Sequence, residues 1–382
     1  MTTPPSLTSD LHHHITQAII DAGGWIGFDD FMGQALYTPG LGYYAHGSAK
    51  FGLLPYTVQD GARVAGSDFV TAPEITPLFG WTLAQQVVQA LAVTGTDEVW
   101  EFGAGSGALA LQVLQVLQAL QAQGQPLPRY TIVDISSSLR ARQQATLAGF
   151  ASQVRWVDAL PDELRGVVLG NEVLDAMPVK LLARVSGVWH ERGVALAEPA
   201  AGQPTLVWQD RPTELRPPLE IGGPHDYLTE IHPQGESFVR TLGAKLTAGA
   251  VFLIDYGFPE SEYYHPQRHM GTVMCHQAHQ ADDDPLVSVG QKDITAHVNF
   301  TGIALAGNEA GLGVLGYCNQ ARFLMNCGFL TYLQSADLPT RVMAQKLVME
   351  HEMGELFKVI GFYKGEPWQA LGFEHGDKTH TL

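Results

Sequence analysis

Glu101 stands two residues before the first of three alternating glycines in the run Val99-Trp-Glu-Phe-Gly-Ala-Gly-Ser-Gly-Ala-Leu109. Glycine lets the backbone turn sharply from strand to helix and approach a ligand with no Cβ in the way. Gly103, Ala104, Gly105 and Gly107 therefore read as the loop beneath a nucleotide-type cofactor. A carboxylate at Glu101 suits a cationic partner and would sit badly beside a pyrophosphate. That points to S-adenosylmethionine (SAM), whose amino-acid end carries an ammonium. The glycines alone also satisfy the permissive G-x-G-x-x-A form of a dinucleotide fingerprint, so a nicotinamide cofactor stays open at this point.

Three further strand ends carry polar side chains. Asp134, followed by Ile135, closes the run Tyr130-Thr-Ile-Val-Asp, where an acid holds ribose hydroxyls; its competing role is helix capping, helped by Ser136. Asp158 and Ala159 end a third apolar run, where a carboxylate can accept from an adenine amino group. Asn171 and Glu172 follow a fourth. Ligands of wound sheets bind outside the carboxyl ends of the strands, so these residues would form one rim.

The elements that must position this rim follow from periodicity. A helix is expected over 77–93, then strand 98–102, helix 109–121, strand 129–134, helix 138–147, and strands 154–157 and 166–169. Strands alternating with helices imply a parallel sheet with right-handed crossovers. Short β-rich runs at 181–185, 188–195 and 205–209 read as antiparallel hairpins inserted into that core. Helix 234–246 and the apolar strand 250–255 resume it. Residues 11–35 read as two short helices around Gly23-Gly24, 37–68 as a long aromatic loop, and 257–300 as an irregular substrate-side loop. Helices are expected at 317–327 and 340–351, before a last apolar run at 357–363. The fold expected is α/β, a Rossmann-like wound sheet with an N-terminal helical region and an inserted β-rich subdomain. Its parts are a covering region at 1–75, a cofactor-binding core at 76–180, an insertion at 181–245, and the rest of the core at 246–382.

Composition narrows the partners. Of 382 residues, 45% are hydrophobic and 16% charged, which is ordinary for a packed globular chain. A net charge of −17 leaves no basic field for phosphate backbones, so nucleic acid is not expected, while a cationic substrate fits. Cys275, Cys318 and Cys327 show neither CxxC spacing nor an even-numbered framework, which argues for a reducing compartment and against structural zinc. His276, His279 and His297 lack the spacing of a metal site, so no metal is expected. With no secretory signal pattern and no apolar run of membrane-spanning length, the expected location is cytoplasmic, without membrane insertion.

Longer motifs carry a resemblance. Gly66-Ser-Asp-Phe-Val-Thr-Ala-Pro-Glu-Ile-Thr-Pro-Leu-Phe-Gly80, the Glu101 to Gly107 loop, Asn171-Glu-Val-Leu-Asp-Ala-Met-Pro178, Ile254-Asp-Tyr-Gly257 and Asp293-Ile-Thr-Ala-His-Val298 together resemble the MidA family of class I SAM-dependent methyltransferases. The likeness runs from Gly42-Tyr-Tyr44 to Met353-Gly-Glu-Leu-Phe-Lys358 and Gly365-Glu-Pro-Trp368. One departure is Asn299, where the family pattern leads one to expect aspartate. For its mitochondrial members, which assist assembly of respiratory complex I, the resemblance implies methylation of a protein arginine.

A guanidinium stays cationic at any physiological pH, so an enzyme acting on it must clamp it with carboxylates and accept a proton during transfer. The candidates are Glu172 first, then Glu74, Asp68, Asp175 and Asp255. Tyr43, Tyr44 and Tyr256 are candidates for the acceptor wall, and His279 and His297 for the cleft. The expected partners are a protein substrate and, as a further candidate, a second copy of the chain in a homodimer. Three readings remain: a methyltransferase, a SAM-binding assembly factor acting through partner contact, and an NAD-dependent oxidoreductase.

Overall fold

The computed structural model describes residues 7–45, 56–59, 62–65, 70–121, 124, 127–134, 136–197, 204–277 and 279–382. Its main sheet runs in the spatial order Gly313–Asn319, Phe357–Lys364, Leu246–Phe258, Leu164–Asn171, Glu98–Phe102, Arg129–Val133, Val154–Val157. The last five are mutually parallel, whereas Phe357–Lys364 runs antiparallel to both its neighbours. Every residue of Glu98–Phe102 is buried, as a strand with a helical layer on each face requires. Its one acid away from the rim, Glu98, is satisfied by Arg155 at 2.7 Å and Arg129 at 3.3 Å.

Helices Leu78–Thr94 and Ala108–Gln121 cover one face, packing Phe79, Leu83 and Val113 against Tyr130 and Phe252. Helices Pro233–Lys245 and Phe300–Glu309 cover the other, packing Leu242 and Ile303 against Val168 and Val251. A third core lies apart from both. It joins Leu11, Ile15 and Phe31 of the N-terminal helices Leu7–Asp21 and Phe28–Tyr37 to Leu181 and Val194 of an antiparallel sheet. That sheet contains Lys180–Val185, Val188–Ala197, Thr205–Pro212 and Tyr227–Ile231, and also the N-terminal strand Trp25–Gly27, paired with Val188–Ala197. The stretches expected as a covering region and an insertion thus meet in one sheet.

The wound core follows its expected boundaries within a few residues. Elsewhere the structure corrects them. Trp25–Gly27 is a strand between the two N-terminal helices, too short for a period to show. Tyr56–Gln59 and Ala62–Ala65 pair as a hairpin inside the expected loop. The 257–300 stretch holds a small sheet of Met274–Gln277, Gln280–Asp282 and Asp293–Thr295. Residues 317–319 belong to strand Gly313–Asn319, and the helix begins after it, where the Asn319 side chain accepts from Arg322 N at 2.9 Å.

Asn299 has a similar role. Its Oδ1 accepts from Gly302 N at 3.3 Å at the start of Phe300–Glu309, a cap that asparagine makes as well as aspartate. Asn299→Ala should therefore lower stability by about 1 kcal/mol and Asn299→Asp should not, read from denaturant midpoints. Equal midpoints for the alanine and aspartate variants would remove the capping role.

Candidate active site

The parallel register aligns the strand ends: Phe102 lies opposite both Val133 and Gly170, and Asn171 opposite Ile254. Beyond them opens a cleft of about 1190 Å³. Gly103 and Gly105 lie on its floor, and the loop turns at Gly103, Gly105 and Gly107 with φ of 62°, 52° and 85°, a left-handed path that side-chain-bearing residues rarely take. Glu101 lies beneath the first of them, 2% exposed, its Oε2 accepting the Tyr130 phenol at 2.6 Å. Burial pushes its pKa up to about 7, against the opposing pull of that phenol.

Asp134 accepts from Ser136 N at 2.8 Å through one oxygen and from Gln143 Nε2 at 2.7 Å through the other. Gln143 Nε2 also donates to Gly105 O at 3.1 Å, so the glycine loop and Asp134 are tied together, and each carboxylate oxygen keeps a lone pair for a hydroxyl. Ser136, not Asp134, caps the following helix. Asp158 turns away: its side chain is 75% exposed and pairs with Arg140. Asp158, the exposed Ala159 and Gly107 are absent from the cleft lining, and Ile135 lies outside the described residues.

The turn after strand Leu164–Asn171 forms the facing wall. Glu172 adopts φ 52°, unusual for a residue with a side chain, and its amide donates to Ile254 O at 2.9 Å. Asp255 holds the turn from behind, its Oδ2 accepting Leu174 N at 2.9 Å and Asp175 N at 3.2 Å. With Oδ1 on Tyr256 N at 2.9 Å and 1% exposure, Asp255 is absent from the cleft lining. Within the cleft, Glu172 Oε1 accepts from Asn171 Nδ2 at 3.0 Å, and Asp175 Oδ2 accepts the Tyr256 phenol at 2.5 Å. Burial raises Glu172 to about 8, reinforced by Asp175, and raises Asp175 to about 6.

The N-terminal segment closes the other side. Tyr37 donates to Ala176 O at 2.7 Å, and Tyr44 donates to the Asp293 carboxylate at 2.8 and 2.9 Å. The Tyr44 carbonyl in turn accepts from Ser136 Oγ at 2.9 Å, linking this segment to the Asp134 rim. Asp293 is a lining carboxylate not expected from the residues; its only signal was membership of a long motif. Glu74 lines the cleft and takes the Ser106 hydroxyl, and Asp68 lies outside the described residues. Tyr43 is 1% exposed in the third core, edge-on to Tyr44, and does not reach the cleft lining. His279 is exposed in a tight turn with φ 60°, also outside the lining, whereas His276 and His297 are within it. His297 packs edge-on against Tyr256, and burial lowers its pKa to about 4, so its ring is neutral near pH 7.

Among the described residues the lining therefore carries six carboxylates, Glu74, Glu101, Asp134, Glu172, Asp175 and Asp293, and neither lysine nor arginine. Asn171 Oδ1, Asp175 Oδ1 and His297 Nδ1 are buried without a hydrogen-bond partner among the described residues. Such a cleft wants cations and N–H donors. A glycine cradle with a buried acid beneath it and a second acid on the next strand end fits the ammonium and ribose of SAM. Among the described residues it offers no positive group to a pyrophosphate. Among the described residues, no helix is long and apolar enough to cross a membrane, and no group of three His, Cys, Asp or Glu could hold a metal ion.

The raised carboxyl groups make stability depend on pH. Glu101, Glu172 and Asp175 stay protonated in the folded protein at pH values where the unfolded chain has already released those protons. Their stability contribution is whole below about pH 4 and is lost as pH rises through 6 to 8. The ligand-free melting temperature should fall across that window, and less steeply in Glu172→Gln. An unchanged slope in that variant would show that Glu172 does not titrate there.

Fold and rim together define a SAM-dependent methyltransferase with a Rossmann-like sheet. Residues 82–318 match a family model described as "Putative S-adenosyl-L-methionine-dependent methyltransferase". The chain belongs to this family, the MidA-like methyltransferases. A crystal structure from Burkholderia thailandensis bound to S-adenosyl-homocysteine is 46% identical, with a TM-score of 0.90 over 100% of both chains. A native structure from the same organism is 44% identical, with a TM-score of 0.87 over 100% of this chain and 99% of that one. The mitochondrial protein arginine methyltransferase NDUFAF7 of Danio rerio is 26% identical, covering 92% of this chain and 86% of its own. Its human counterpart is 25% identical over 81% and 71%.

Proposed function

We propose that this enzyme transfers the methyl group of SAM to a protein side chain, with arginine as the acceptor residue. The observation that carries the reading is the cleft lining, which among the described residues holds six carboxylates and no lysine or arginine. The names of the mitochondrial relatives, protein arginine methyltransferases at 24–26% identity, support it. When bound, SAM supplies an electrophilic methyl on a sulfonium sulfur. Glu101 pairs with its ammonium, Asp134 takes the ribose hydroxyls, and Gly103, Ala104 and Gly105 admit it closely, with Asn171 beside them.

On the acceptor side, Glu172 and Asp293, which both line the cleft and feel each other's charge, clamp the guanidinium, while Tyr44, Tyr256 and His297 shape the pocket. Methyl transfer is an in-line displacement that needs little covalent help, so this positioning and the fixed negative field supply the rate. Asp255 acts through the turn it holds and is a positioning residue.

The test is transfer of labelled methyl from SAM into lysate of a strain lacking the protein, followed by mass spectrometry of the modified residues. Methylarginine dependent on the protein is expected. Tight SAM binding with no labelled product would favour an assembly factor acting through partner contact. Label on another residue type would replace arginine as the acceptor.

A further inference from the structure

Asp175 is fixed on every side but one. Its amide donates to Asp255, its carbonyl accepts from Ala296 N at 2.9 Å, and its Oδ2 accepts the Tyr256 phenol. Only Oδ1 is left, buried and without a hydrogen-bond partner among the described residues, on a side chain that lines the cleft. A buried carboxylate oxygen that makes no hydrogen bond is costly, and the cost is removed when an N–H arrives. Glu172 differs, since its carboxylate already accepts from the Asn171 amide.

We infer that Asp175 Oδ1 takes the proton that the acceptor guanidinium must lose during methyl transfer, and that Tyr256 is the positioning residue that aims it. This rests on the arginine reading above. A guanidinium nitrogen has no free lone pair to attack with. As its N–H proton passes to Oδ1, the electron pair of that bond becomes available and forms the new N–CH3 bond. The C–S pair leaves with sulfur, which goes from sulfonium to neutral thioether. Sulfonium, guanidinium and carboxylate become thioether, methylguanidinium and carboxylic acid, so net charge is unchanged. The acid returns its proton to solvent after the product leaves.

The titratable groups that face Asp175 are Glu172 on its own turn, Asp255 and Tyr256 on strand Leu246–Phe258, and Tyr37 and Tyr44 of the N-terminal segment. Burial works against its ionisation, whereas the Tyr256 phenol and the nearby amides of Asp175 and Ala176 favour it. A base with a pKa near 6 is ionised at neutral pH and still basic enough to serve. Glu172, higher in the empty cleft, ionises as the guanidinium arrives and so suits the clamp.

Asp175→Asn should bind S-adenosylhomocysteine like the parent by calorimetry, yet transfer to the arginine acceptor at least ~100-fold more slowly. Tyr256→Phe removes a donor to the ionised carboxylate. The acid limb of its pH–rate profile should move to higher pH, and the ¹³C titration of the Asp175 carboxyl in the ligand-free protein should move the same way. If Asp175→Asn does not fold, Tyr256→Phe decides alone. An Asp175→Asn enzyme within about tenfold of the parent overturns the assignment. So does a Tyr256→Phe enzyme that is slower at every pH with an unmoved carboxyl titration, the mark of a merely structural role. If the parent itself labels no arginine, the acceptor reading falls and this inference with it. If the parent and Asp175→Asn both label arginine at similar rates, only this inference falls.

Discussion

Glu172→Gln is expected to bind SAM within about twofold of the parent while losing methyl transfer by at least ~100-fold, the scale on which removing one partner of a buried charge pair acts. The reasoning is geometric. The residue sits in a left-handed conformation pinned by Ile254 O and flanked by Asp255, which places its carboxylate in the cleft. Glutamine keeps the size and one acceptor oxygen and removes only the charge that a guanidinium would meet. SAM affinity by calorimetry and labelled transfer measured on the same preparation separate the two effects. Full activity in the variant would take Glu172 out of the acceptor site.

A second large effect belongs to Glu101→Ala. With its carboxylate 2% exposed beneath the glycine loop, the ammonium of SAM would lose a buried partner, at a cost of about 3 kcal/mol or more and hence at least ~100-fold in Kd. The pH dependence gives an independent signature. Burial holds Glu101 near 7 in the ligand-free protein, so below that pH a bound ammonium must displace a proton. Parent affinity should fall as pH drops from 8 to 6, towards about tenfold per unit, and the fall should be absent in the variant. Unchanged affinity in Glu101→Ala would falsify the assignment of this residue to the amino-acid end.

Much of this rim is legible in the sequence, because the wound core declares itself through apolar runs that alternate with amphipathic ones. A strand end says where the backbone emerges, however, and not where the side chain goes. Asp158 emerges at a strand end as expected, but Arg140 on the preceding helix draws its carboxylate outward. Asp255 lies beside the site in sequence terms, yet its Oδ2 is occupied by amides of the Asn171–Pro178 turn and its Oδ1 by the amide of Tyr256. Tyr43 and Tyr44 are adjacent and indistinguishable by type. One packs in the third core and the other reaches Asp293, because neighbouring side chains leave the backbone in different directions. Asp293 escaped for the opposite reason: its strand Asp293–Thr295 is three residues long and shows no period. Its partnership with Tyr44 spans most of the chain, and no local pattern reports such a contact.

The position of strand Phe357–Lys364, between Gly313–Asn319 and Leu246–Phe258, has a consequence for how the molecule is made. During synthesis both flanking strands leave the ribosome first and have to wait, each with an open hydrogen-bonding edge, until the segment that fills the gap arrives. Closure of the sheet is a long-range event with high loop-closure cost, so folding should be slow and the waiting intermediate sticky. A chain released before Phe357 would keep the whole glycine loop and Asp134, yet expose the edge of the strand that carries Asp255 and Tyr256. Completion of this wall therefore waits for Phe357–Lys364 to be translated, well after the cofactor rim can form.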